Sequence, residues 1–150
     1  MIFLDYNLEP SEMRKLEDID LTSATPTQLD YYLFCGSVLF RIDGASFDAS
    51  WRWIPILNFV TQLYDIVANI KDGETRVLEF TESDATIEFR RTGNNVEIMA
   101  EYSSAKATAS QQELQETVTK FSRRVFGDLI SHWPELAQNP FFKERNELVK

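Results

Sequence analysis

Residues 75–110 read TRVLEFTESDATIEFRRTGNNVEIMAEYSSAKATAS, and the fold class turns on them. Apolar and polar side chains alternate through 75–81, 86–92 and 95–103, which is the period of a strand with one buried and one wet face. Turn residues bound each run. Gly93-Asn94 is a strong two-residue hairpin signal, and Glu82-Ser83-Asp84-Ala85 suits a four-residue loop. The three segments therefore read as an antiparallel meander with Ile87, Phe89, Val96 and Ile98 on one buried face. Residues 105–109 alternate alanine with Lys106 and Thr108, so a further strand there presents small side chains to a close-lying helix.

Working outward from the meander, Ser110 and Glu113 form a helix-start signal in which the hydroxyl accepts the N–H of Glu113 and the carboxylate reaches back. Leu114, Val118, Phe121, Val125, Phe126, Leu129, Ile130 and Trp133 then keep one helical face until Pro134 closes it. A short helix over 134–138 and a last one over 140–149 follow. Upstream, three- and four-residue steps from Trp53 through Ile56, Val60, Leu63, Val67 and Ile70 predict a helix over 51–71, with Pro55 in its first turn and Asp72-Gly73 ending it. Residues 29–43 read as a long extended run with a bulge or bend at Gly36. A strand carries Ile2, Leu4, Tyr6 and Leu8, and 11–28 is a loop holding one helical turn capped by Ser11. The order implies a single α+β domain, 1–150, in which helices cover one face of an antiparallel sheet.

Composition limits the function classes. A chain of 150 residues with 43% hydrophobic side chains builds a conventional core. One cysteine, Cys35, forms no disulfide within the chain and suits a reducing, cytoplasmic setting. No stretch has the length or apolarity of a membrane span. The net charge of −9 lies in the first two thirds, a field that repels phosphate backbones and draws in basic partners.

Chemistry-bearing motifs are sparse. His132 is the sole histidine and stands at a helix end, where a cation meets the C-terminal dipole. Cys35 lies in an apolar run and reads as a core thiol. No phosphate loop, calcium loop or zinc spacing occurs, so no cofactor and no catalytic residues are assigned. The tryptophans read as core, and Lys120, Arg123 and Arg124 as a solvated helix face.

Alternation aims Glu79, Glu88, Glu97 and Glu101 away from the core. With the predicted loop, Glu79 stands opposite Glu88, and like charges so placed repel, while Glu97 faces Arg90. The row is a product of a hairpin register one step out, simple solvation of exposed acids, or an outward surface kept for a basic partner. The acidic segment holding Asp43 and Asp48 is the next candidate surface.

Across about residues 31–133 the layout resembles small acidic bacterial immunity proteins that pair with toxins of contact-dependent and polymorphic systems. The resemblance lies in Gly36, Val38, Phe40, Ile42, Asp43 and Gly44, the Trp51 and Trp53 approach to the helix, the run Leu78-Glu79-Phe80-Thr81-Glu82-Ser83, and Ile87-Glu88-Phe89. It implies a non-enzymatic protein that covers the active or substrate surface of one cognate toxin, often a basic nuclease. The alternative is a non-catalytic small-molecule or adaptor domain whose ligand enters near Trp51, Trp53 and Tyr64.

Overall fold

A computed structural model describes all 150 residues, the side chain of Arg52 excepted. The chain is α+β and built on antiparallel pairing, but the single sheet expected from the sequence is in fact two four-stranded sheets. The first joins β1 (Ile2–Leu8), β2 (Cys35–Ile42), β3 (Ala45–Ser46) and β4 (Ala49–Pro55), with both β3 and β4 pairing β2. The second is the meander β5 (Thr75–Glu79), β6 (Thr86–Thr92), β7 (Asn95–Ala100) and β8 (Ala105–Ser110). β3 lies beside β8, and the Tyr102 hydroxyl donates to the Phe47 carbonyl at 2.6 Å across the junction. One continuous buried cluster runs through both sheets.

The meander follows its sequence pattern closely. Gly93-Asn94 turns the β6–β7 hairpin with Thr92 opposite Asn95, and Ile87, Phe89, Val96 and Ile98 are all buried. Three expectations need correction. β5 stops at Glu79; the Phe80 N–H bonds the Ala85 carbonyl at 3.1 Å, so the loop is residues 81–84, one position earlier than expected. Glu79 consequently faces Thr86, and Glu88 faces Val77, which removes the expected Glu79–Glu88 repulsion. β7 ends at Ala100, and Glu101–Ser103 form a 3-10 turn closed by Ser104 at φ 51°.

Two long helices, α2 (Ile56–Asn69) and α3 (Gln111–His132), pack on each other and span the two sheets, α2 against β2, β4 and β5, α3 against β1 and β8. Ser110 Oγ accepts the Glu113 N–H at 3.1 Å, while the Glu113 carboxylate lies 4.0 Å from the N-terminal ammonium. The expected start of α2 is corrected. Residues 49–55 are strand, and Pro55 is the non-helical residue before the first turn (ψ 106°). A residue preceding proline is pushed toward extended backbone, so Ile54 cannot continue a helix into Pro55.

Further corrections fall between β1 and β2. A helix α1 (Ser11–Glu17) forms with Pro10 in the cap position, and Ser11 is its first residue rather than its cap. Residues 29–32 are not extended: Gln28–Tyr32 is a π-helical turn, and after an extended Leu33 comes Phe34 at φ 56°, uncommon backbone for a bulky side chain. Asp30 is drawn inward to a bidentate pair with Arg145 of α4 (Pro140–Leu148). Asn139 is fully buried; its amide nitrogen donates to Leu21 and Ala24 carbonyls at 2.8 and 2.9 Å, and its oxygen caps α4.

The outer strands β1 and β5 are blunted. On β1, Arg124 Nη2 donates to the Leu4 carbonyl at 2.9 Å and the Asp5 carboxylate accepts the Tyr6 N–H at 2.8 Å. On β5, the Gln62 amide bonds both the Glu79 N–H (3.1 Å) and carbonyl (2.8 Å), as a neighbouring strand would. Strand addition at these positions is thereby obstructed.

Candidate functional site

The most irregular ladder in the molecule is β2–β4. Gly36 pairs with Ile54 and Val38 with Ala49, so residues 50–53 stand against Ser37 alone. The expected irregularity at Gly36 is there, and contact requires the glycine itself: a Cβ on Gly36 would sit 1.8 Å from the Asn7 carbonyl oxygen of β1. A bulge of this size frees β4 from the in–out alternation and re-aims its side chains.

Trp51 drops toward the second sheet. Its indole N–H donates to Glu82 Oε1 at 2.8 Å, and its ring meets Phe80 at 5.0 Å and Tyr102 at 5.4 Å, both edge-on. Phe59 of α2 stacks on Phe80 at 5.9 Å, so this aromatic cluster ties β4, the meander and α2 together. Beside it opens a cleft of about 580 Å³ lined by Trp51, Tyr102, Asp84, Glu101, Ser83 and Thr86. Glu82, Asp84 and Glu101 are exposed and have no ion-pair partner among the described side chains. Burial, and then the Asp48 charge, push the Tyr102 phenol upward, so it stays a neutral donor.

Trp53, expected in the core, is 50% exposed. β4 contacts the π-helical turn, whose Tyr31 and Tyr32 are 46% and 59% exposed. Lys15 of α1 donates to the Tyr32 carbonyl and pairs at 3.5 Å with the wholly buried Glu12 carboxylate, which in turn accepts the Cys35 N–H at 2.8 Å. Burial, reinforced by Glu12, pushes the Cys35 thiol up to about 12 and leaves it inert.

The acids proposed from the sequence are scattered. Glu79, Glu88 and Glu97 do point outward from the meander, but the same face carries Arg90 opposite Glu97, Lys106 with its Nζ 3.8 Å from Glu97, four threonines, Val77 and Met99. It is mixed rather than acidic. Glu101 leaves that row for the cleft wall. Asp43 holds the N-terminal ammonium in a tight turn with Gly44, and Asp48 accepts the Phe40 N–H and the Arg41 guanidinium, so both are engaged within the chain. His132 ends α3, exposed and beside the Trp133 ring. Arg123 and Arg124 are not merely solvated: they hold the Val149 carbonyl and the edge of β1.

Sequence reasoning missed Trp51, Glu82 and Tyr102 as a unit because they come from three separate segments. The signal for β4 was present in Trp53-Ile54-Pro55, which favours extended backbone over helix. No group of three metal-ligating side chains forms among the described residues, and no helix is long and apolar enough to cross a membrane. Against protein-family models, curated proteins and solved structures alike, the chain finds no match.

Proposed function

We propose that the chain is a non-catalytic binding protein of the immunity type, neutralising a basic bacterial toxin by covering its active or substrate surface. The observation that carries this reading is the exposure of Trp53, Tyr31 and Tyr32 on two contacting irregular elements. Tryptophan and tyrosine are the side chains most enriched where binding energy concentrates, and large aromatics left wet mark docking surfaces. A net charge of −9 supports a basic partner by steering its approach. A toxin antidote of this kind works in the cytoplasm, where an unpaired buried Cys35 remains reduced. The test is to mix the purified chain with the product of the adjacent gene and measure complex formation together with that product's activity. Stoichiometric inhibition is expected; full activity in the presence of excess chain would end the proposal.

A second reading, a small apolar ligand, draws on a groove of about 320 Å³ between α2, α3 and α4 lined by Tyr64, Phe126, Leu148 and Val149. Native mass spectrometry decides it: a retained small molecule supports a ligand-binding domain, and a bare chain mass speaks against one.

A further inference from the structure

We infer that the Trp51–Tyr102 cleft is a socket for one arginine side chain of the basic partner, an inference that rests on the binding function proposed above. The lining combines the Trp51 and Tyr102 rings with the Asp84 and Glu101 carboxylates, and that combination selects a cation that is planar and weakly hydrated. A guanidinium lies flat on an indole or phenol ring while its edge donates to Asp84 and Glu101. Both Glu82 oxygens already accept, one from Trp51 and one from Thr81 Oγ1, yet each carboxylate oxygen retains a lone pair for a further donor. A lysine ammonium fills the same charge but forfeits the stacking and the forked geometry.

The socket is built in advance of its guest. The indole N–H to Glu82 and the edge contacts with Phe80 and Tyr102 fix the Trp51 ring, and Tyr102 is itself pinned to the Phe47 carbonyl. Binding therefore orders few side chains anew. The charge of the cleft also suits a cation. The outward meander face is offset by Arg90 and Lys106, Asp48 is taken by Arg41, Asp65 by Arg76, and Asp30 by Arg145. Asp84 and Glu101 in the cleft lining, and Glu82 beside it on the Trp51 indole, have no such partner among the described side chains.

Fluorescently labelled hexa-arginine and hexa-lysine peptides serve as probes, read by anisotropy at two salt concentrations. The expected result is hexa-arginine binding at least about fivefold tighter than hexa-lysine, and loss of at least about tenfold in the triple variant Glu82→Gln, Asp84→Asn, Glu101→Gln. The triple variant Glu79→Gln, Glu88→Gln, Glu97→Gln removes the same formal charge elsewhere and should lose less than about threefold. Equal losses from the two triples, no preference for arginine, or no binding to the unmodified chain would each overturn the socket. Should the cleft triple fail to melt cooperatively, the single Glu101→Gln variant, on an exposed lining residue, replaces it with an expected loss of about threefold. The two proposals separate cleanly. If the adjacent gene's product binds the unmodified chain and the cleft triple alike, the socket is wrong and the binding function stands. If that product binds neither while hexa-arginine still distinguishes the two triples as expected, the socket stands and the immunity reading falls.

Discussion

The two sheets obey different rules. In the meander every strand keeps strict alternation, each hairpin is closed by a local turn, and the wet face mixes Glu with Arg, Lys and Thr so that little net charge remains. In the β1–β4 sheet the ladder breaks at Gly36, a π-helical turn and a left-handed Phe34 lead into β2, and large aromatics stay in solvent. The regular half is held by volume and periodicity; the irregular half is held by specific contacts between distant residues. Strain and exposure of this kind persist only where the surroundings enforce them, and they concentrate where proteins bind other molecules.

That contrast can be broken with one type of substitution at two sites. Gly36→Ala forces a methyl group into the Asn7 carbonyl, 1.8 Å from the new Cβ, so β1 must leave β2. A destabilisation above about 4 kcal/mol, or failure to fold, is expected in a urea melt. A loss under about 1 kcal/mol would mean that the close approach of β1 is not needed. Next in size is Asn139→Ala, which removes the α4 cap and strands the Leu21 and Ala24 carbonyls. About 2–4 kcal/mol should disappear, and hydrogen exchange should rise first between residues 18 and 32. On α3, which touches both sheets, Gly127→Ala adds the same methyl to an exposed position with nothing within 4 Å, and should stabilise by about 0.5–1 kcal/mol. The smallest effect belongs to Glu79→Gln with Glu88→Gln. These residues face Thr86 and Val77 rather than each other, so the melting temperature should move by less than the equivalent of about 0.5 kcal/mol. A clear gain would revive the opposed-acid pairing.

The same contrast governs what the sequence makes legible. Gly93-Asn94 sets its hairpin register by itself, and Ser110 with the apolar face from Leu114 onward locates α3, because the deciding interactions lie within a few residues. The β5–β6 register slipped because one loop position separates Ala85 as loop from Ala85 as the partner of Phe80. β4 was hidden because its Trp-x-Trp-Ile run fits both strand and helix periods, and only Pro55 argues against helix. The π-helical turn depends on Asp30 meeting Arg145, a partner 115 residues away that no local pattern announces. The cleft is of this second kind: Trp51, Glu82 and Tyr102 come from three separate segments that meet only in the folded arrangement of the two sheets.

The account stands most directly on where the partner docks, and one affinity measurement addresses it. The product of the adjacent gene is titrated against the unmodified chain, against Tyr32→Ala with Trp53→Ala, and against Glu79→Gln with Glu88→Gln and Glu97→Gln, melting temperatures being measured in parallel. Two aromatic anchors should together cost about 100-fold in Kd or more, while the meander triple should stay within about threefold at 0.15 M salt. Full affinity in the aromatic double variant, with the meander triple losing the binding instead, would contradict the assignment of the docking surface to the irregular sheet.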